Sequence, residues 1–264
     1  MNRPDLQIVL LGSGNVATHF ALGLERVGLP VSQVYSRTPQ NGLSLLERLS
    51  NKPDLIFTTD RLIRTADLYL FTVSDNAIAS LAESLPATRG IWAHTAGSIS
   101  MEVLHKHHAD SGVLYPLQTF SKDRGLDFST IPLYVEGCTQ AACDFLTSVG
   151  KILSSQVSFA SEKQRRQLHL AAVFACNFVN HLYCLSEEIL SGASLSPEAL
   201  APLISETAAK VQRMPAREAQ TGPAARYDTE TIKRHLEMLP EGYSKQVYHL
   251  MSESIMSLNR KRSE

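Results

Sequence analysis

Chemistry-capable spacing begins at Gly12-Ser13-Gly14-Asn15-Val16-Ala17, directly after the apolar run Ile8-Val9-Leu10-Leu11. A first glycine allows a tight strand-to-helix turn, a second lets a pyrophosphate approach the backbone, and the small Ala17 lets the helix pack closely on its sheet. The free N–H groups and dipole of such a helix favour a diphosphate. A glycine pair can also serve packing alone. Context favours nucleotide binding: Val16, Phe20, Leu24 and Val27 follow at helical spacing, and Gly28 ends the pattern.

The stretch Tyr35-Ser36-Arg37-Thr38 stands where an NAD-selective site carries a carboxylate for the ribose 2′-hydroxyl. No acid is present there. Arg37 can pair with a 2′-phosphate and stack on adenine, while Ser36 and Thr38 can donate hydrogen bonds, so the expected cofactor is NADP. The alternative is an ordinary exposed loop arginine. Two further polar clusters follow apolar strand-like runs. In Val73-Ser74-Asp75 the backbone and the Ser74 hydroxyl offer cofactor contacts, with Asp75 expected to cap a helix; in His94-Thr95-Ala96-Gly97-Ser98, Thr95 and Ala96 suit a nicotinamide ribose. His94 and Ser98 are candidates for proton transfer or substrate contact, and His94 can equally be hydrogen-bonded within a sheet.

Farther along, His169, Val173, Asn177 and Asn180 or His181 recur at spacings of three and four, which places them on one helix face. Buried polar groups there need partners, either a substrate or structural hydrogen bonds. Thr221-Gly222-Pro223 with Arg226, Asp228 and His235 forms another cluster, in which Arg226 can hold an anionic substrate or pair with Asp228. His105, His107 and His108 lack zinc-site spacing, and no metal is expected.

The elements that must position these residues alternate. Strand-like runs at Val31 to Tyr35, Leu55 to Thr58, Leu68 to Val73, Gly90 to Ala93, Val113 to Leu114 and Leu133 to Val135 are interleaved with helical patterns at Gly42 to Leu49, Asp75 to Leu85, Met101 to His107 and Gln140 to Val149. That alternation predicts an α/β fold with a doubly wound parallel sheet over residues 1–157. From Ser161 onward the patterns are helical, so residues 158–264 are expected to form an all-helical C-terminal domain for substrate binding and dimerisation. Its long apolar stretch, Leu168 to Leu190, suits a bundle core or a dimer interface.

The chain has 264 residues, enough for two domains, with 25 basic and 26 acidic side chains. A net charge of -1 offers no basic field, so nucleic acid is not an expected partner. Leu6 to Leu11 is too short for a signal-peptide core, and no window is expected to reach the length of a membrane span. Cys138, Cys143, Cys176 and Cys184 lack C-x-x-C spacing and read as reduced thiols. A cytoplasmic location is expected.

The motifs named above, together with Tyr115-Pro116-Leu117-Gln118-Thr119-Phe120 and Thr221-Gly222-Pro223-Ala224-Ala225-Arg226-Tyr227-Asp228, resemble the Rossmann-like family that carries the domain of unknown function 2520. The resemblance spans nearly the whole chain. It implies an NADP-binding Rossmann domain similar to that of pyrroline-5-carboxylate reductases, followed by a helical domain similar to that of 6-phosphogluconate dehydrogenase, and a homodimer. In the related β-hydroxyacid dehydrogenases a lysine precedes an asparagine by one helical turn. Aligning that asparagine on Asn177 puts Val173 in the place of the lysine. The expected function is therefore NADP-dependent hydride transfer to or from a small substrate, with His94, Ser98, His169, Asn177 and Arg226 facing it. The alternative is an NADP-binding sensor or assembly subunit without turnover.

Overall fold

The computed structural model describes residues 6–260. Two compact units divide between Asn177 and Phe178.

The first unit is built on an eight-stranded sheet. Its strands are β1 (Ile8–Leu11), β2 (Gln33–Tyr35), β3 (Asp54–Ile56), β4 (Leu68–Phe71), β5 (Ile91–His94), β6 (Ser111–Pro116), β7 (Leu133–Gly137) and β8 (Val157–Phe159), in the spatial order β3-β2-β1-β4-β5-β6-β7-β8. Helices α1 (Asn15–Arg26), α2 (Pro39–Glu47), α3 (Asp75–Ser84), α4 (Glu102–His105) and α5 (Gln140–Leu153) connect them. The strand order reverses between β1 and β4. In open sheets of this kind a ligand crevice opens there, outside the carboxyl ends of the strands.

Every residue of β1 and β4 is buried, as covering both faces of a sheet requires. Alternate side chains feed two cores: Ile8, Leu10, Leu68 and Leu70 pack with Phe20 and Leu24 of α1, while Val9, Leu11, Tyr69 and Phe71 pack with Ile78 of α3 and Trp92. The Rossmann-like architecture agrees with the sequence reading, with one amendment. The sheet is not wholly parallel, because β7 runs antiparallel to β6 and β8 runs parallel to β7. β8 escaped the sequence reading because Val157-Ser158-Phe159 is an edge strand only three residues long, too short for an alternation to show.

Helix α6 (Glu162–Ala172) begins at a capping box in which Ser161 and Gln164 bond each other's backbone. A π-helical turn, Val173–Phe178, follows and leads into α7 (Val179–Gly192). The expectation that no window reaches the length of a membrane span is overturned: the continuous run Glu162–Gly192 is long and apolar enough by length and composition, and none of its apolar window is buried. Its charged side chains lie only near its two ends, at Glu162, Lys163, Arg165 and Arg166 and at Glu187 and Glu188, which leaves a long apolar stretch between them.

The second unit continues from α7 into α8 (Ala201–Arg213), α9 (Ala216–Ala219), α10 (Thr229–Met238) and α11 (Tyr243–Arg260). Ser196 caps the turn before α8, with Pro197 in its first position. Among the described residues of this unit only Ala224, Ile232 and Ser252 are buried.

Candidate functional site

The turn after β1 is built around two glycines with different roles. Gly12 adopts φ +131°, and a Cβ there would lie 2.8 Å from Thr72 Oγ1 and 2.9 Å from the Thr72 carbonyl carbon, so only glycine lets the turn pass the end of β4. Gly14 is the N-cap of α1. No side chain caps the helix, no acidic residue occupies its first turn, and a Cβ on Gly14 would meet nothing within 4 Å. This leaves the helix N-terminus open as an anion seat. Ala17 is fully buried against the sheet.

Gly12, Ser13 and Gly14 line a cavity of about 330 Å³ together with Ser36, Arg37 and Thr38 at the end of β2 and Val73 and Ser74 after β4. Its lining contains one cation, Arg37, and no carboxylate. Arg37 is exposed and makes no hydrogen bond or ion pair among the described residues. Ser36, expected from sequence as a hydrogen-bond donor to the cofactor, is engaged within the loop. Its buried hydroxyl donates to the Thr38 carbonyl at 2.7 Å, and Ser13 Oγ, 2.6 Å away, donates to it. The pair ties the glycine turn to the β2 loop.

A second cleft, of about 680 Å³, shares Val73 with the first and lies wholly within the first unit. Asn15, Val16, Asp75, Thr95, Ala96 and Gly97 line one side, the segment Tyr115 to Phe120 another, and the helix from Leu168 to Asn177 a third. Asn15 Nδ2 donates to the Phe120 carbonyl at 2.8 Å, and His19 Nε2 lies 2.9 Å from the Ser121 carbonyl, so the segment after β6 is strapped to α1. Asp75 is not the N-cap of α3, since Ser74 holds that position. The Asp75 carboxylate lies in the first turn, where it complements the helix dipole, and accepts from Ser98 Oγ at 2.7 Å.

Tyr115, at the carboxyl end of β6, sets its hydroxyl 3.2 Å from His169 Nδ1. Desolvation is the main cause that pushes the Tyr115 pKa up to about 12; the nearby Asp75 charge adds to it and Arg165 opposes it, so the phenol keeps its proton. His169 has room because residue 97 is glycine: a Cβ there would stand 2.6 Å from His169 Nδ1.

Behind the cleft, Arg165 is fully buried. Its guanidinium donates to the carbonyls of Ala96, Gly97 and Ile99 at 3.0, 3.0 and 2.7 Å and to Glu136 Oε2 at 3.1 Å. Glu136 Oε1 accepts from the Glu162 backbone N–H at 2.9 Å. One cation thus fixes the loop after β5 to β7 and α6.

Of the residues singled out in sequence, His169, Val173 and Asn177 line the second cleft together. His169 stands on α6, while Val173 and Asn177 lie in the π turn Val173–Phe178, so the face they share is not carried by a single regular α-helix. Ser98 stands one contact away, through Asp75. His94 is not brought to the cleft: its side chain is fully buried, Nδ1 accepts from the Ala96 N–H at 3.2 Å, and Nε2 has no partner. Burial, seconded by the Arg165 charge and only partly offset by the Ser100 backbone, lowers its pKa to about 3, so it is a neutral structural group. Arg226 lies exposed on a short turn of the second unit, and Asp228 beside it caps α10 through the Thr231 N–H, so the alternative of an Arg226–Asp228 ion pair is not what the structure shows. Arg165 and Glu136 escaped sequence reasoning, while Tyr115 and Gly97 stood in the quoted motifs without a role of their own.

Comparison with known proteins fits this geometry. The family described as a domain of unknown function, DUF2520, matches residues 131–255. A Bacteroides fragilis protein described as a putative NADP oxidoreductase is 40% identical, with a TM-score of 0.90 over 96% of this chain and 99% of that one. A reductive aminase from Aspergillus terreus, solved with NADPH and ethyl-5-oxohexanoate, is 14% identical with a TM-score of 0.67, over 96% of this chain and 91% of that one, a likeness of fold alone. The L-aspartate dehydrogenase of Nitrosopumilus maritimus is 25% identical over 178 residues, 66% of this chain and 60% of that enzyme, so the match spans less than two thirds of that relative. The DUF2520 match thus covers residues 131–255, and over its whole length the chain belongs to the same Rossmann-like family as the putative NADP oxidoreductase of Bacteroides fragilis.

Proposed function

We propose that the protein is an NADP-dependent oxidoreductase that transfers a hydride between the nicotinamide and a small substrate in the second cleft. The observation that carries the cofactor choice is the first cavity, whose lining holds the unpaired Arg37 and no carboxylate. A ribose 2′-phosphate there meets a guanidinium, whereas a ribose 2′-hydroxyl finds no acid to bond. The open N-terminus of α1, with Ser13, Gly14 and Asn15, seats the diphosphate, and Val16 and Ala17 let that helix approach. Val73, Ser74 and Asp75 border the path from one cavity to the other, and Thr95 and Ala96 form the floor at the nicotinamide end. The bound cofactor supplies the hydride chemistry. The chain's own contribution is orientation: Arg165 holds the Ala96–Ile99 loop in place, Gly97 seats His169, and His169 orients the Tyr115 hydroxyl toward the cleft.

In this reading residues 1–157 carry the cofactor and residues 158–264 supply substrate and dimer contacts, with Asn177 facing the substrate. A homodimer is favoured by the second unit, whose exposed Ile189, Leu203, Val211, Met238 and Leu250 far outnumber its buried side chains. The four unpaired cysteines favour the cytoplasm. Val173 in the cleft favours a second reading, an NADP-binding sensor without turnover; consumption of NADPH with any member of a panel of imines, 2-oxo acids and 3-oxo acids separates the two.

Titrating NADPH and NADH while following nicotinamide fluorescence tests the cofactor choice. A charge-assisted contact is worth ~1.5–3 kcal/mol, so NADPH should bind about tenfold or more tightly than NADH, and Arg37→Ala should remove the difference. Equal affinities in the unsubstituted protein would refute the assignment.

A further inference from the structure

The second cleft has an uneven charge. Its lining contains one carboxylate, Asp75, and neither lysine nor arginine. Arg165 lies close behind but is sealed from solvent: its two terminal nitrogens are shared among three carbonyls and Glu136, and Nε, which has no partner among the described residues, is buried as well. The walls are largely apolar, with Val16, Val73, Leu117, Leu168 and Val173 among them. A carboxylate ligand entering this space would lose water and meet neither lysine nor arginine, which is costly. A cation would find one. Ser98 holds Asp75 Oδ2 at 2.7 Å, and Oδ1 has no hydrogen-bond partner among the described residues.

Val173 points the same way. Reduction of a neutral carbonyl needs a proton donor at oxygen, the task of a lysine that this helix lacks. A protonated imine already carries its proton. Its carbon accepts a hydride with both electrons from the reduced nicotinamide, the π pair of the C=N bond moves to nitrogen, and the product is a neutral amine without a proton from the protein. The Tyr115 hydroxyl and His169 stand on the same cleft as hydrogen-bond partners for that nitrogen.

We propose that the cleft selects a substrate whose reacting group is cationic, a protonated imine reduced to its amine, with Asp75 as the counter-charge. The reaction rests on the reading of this cleft as the hydride-transfer site, while the charge preference belongs to the cleft itself. The class excludes small dicarboxylates of the aspartate type as good ligands.

The test uses three probes of one shape and different charge: benzylamine, benzyl alcohol and benzoate. Each is titrated calorimetrically into the full chain, with and without NADPH, under which none is reduced. Benzylamine should bind at least about fivefold more tightly than benzoate, the range expected when a contact of ~0.5–1 kcal/mol changes from attraction to repulsion. Asp75→Asn should bring the three within about twofold, with a single cooperative melting transition as the check on folding. Val173→Lys should turn the preference toward benzoate. Equal or tighter binding of benzoate, a preference that survives Asp75→Asn, or no binding of any probe would overturn the proposal. Failure of NADPH to bind would count against the cofactor reading, and the series on the cofactor-free chain would still decide the charge preference.

Discussion

Replacing Arg165 by methionine tests how the cleft is held. The substitution keeps an unbranched, buried apolar stem but removes four contacts: three to the carbonyls of Ala96, Gly97 and Ile99 and one to Glu136. Each buried carbonyl left without a donor costs ~1–3 kcal/mol, and removing one partner of a buried ion pair costs about 3–5 kcal/mol in total. These are overlapping costs, and the methionine recovers part of them by packing. A net loss of about 3–5 kcal/mol is expected. With urea slopes of ~1–3 kcal/mol per molar, the unfolding midpoint should fall by about 1 M or more. Arg165→Lys should give an intermediate loss, because an ammonium can face Glu136 but cannot span all three carbonyls. Urea unfolding followed by circular dichroism reads both. A midpoint shift below about 0.3 M for the methionine variant would show that the loop from Ala96 to Ile99 does not depend on this guanidinium.

Two further perturbations address the same region. Gly97→Ala would put a Cβ 2.6 Å from His169 Nδ1, so the imidazole must move and the Tyr115 contact must lengthen; overpacking of this kind costs ~1–3 kcal/mol, and a crystal structure of the variant with His169 undisplaced would refute the contact. His94 makes stability depend on pH. Its native pKa is about 3 against an ordinary 6.5, so below 6.5 the unfolded chain binds a proton that the folded chain refuses. Stability should fall by up to ~1.4 kcal/mol per pH unit from about 6.5 down toward about 3 on this account, and His94→Asn should flatten that slope in unfolding measurements across the interval. An unchanged slope would mean that other groups control it.

Much of the first unit was legible because its signals are local. Buried strands, a glycine turn against a neighbouring strand and an arginine without an acid partner each follow from a few adjacent residues. The antiparallel turn of β7 is set by pairing with β6, which no local pattern encodes, and β8 is too short to announce itself. The π turn at Val173–Phe178 contains neither proline nor glycine, so α-helical spacing was the natural reading. Functional chemistry was harder to read. His94 has the residue type of a proton donor, yet its strand carries it into the core. Arg165 stands in the charged run Glu162-Lys163-Gln164-Arg165-Arg166, where nothing distinguishes the one buried cation from its exposed neighbours. Tyr115 and His169 are 54 positions apart, and only the fold brings them together.

A crystal structure of the full chain with NADPH tests the central claim most directly. The 2′-phosphate should lie within about 3–4 Å of the Arg37 guanidinium, the diphosphate at the amides of Ser13 to Asn15, and the nicotinamide in the cleft bordered by Asp75, Thr95 and Tyr115. A cofactor bound elsewhere, or bound here with its 2′-phosphate turned to solvent and Arg37 disengaged, would contradict it.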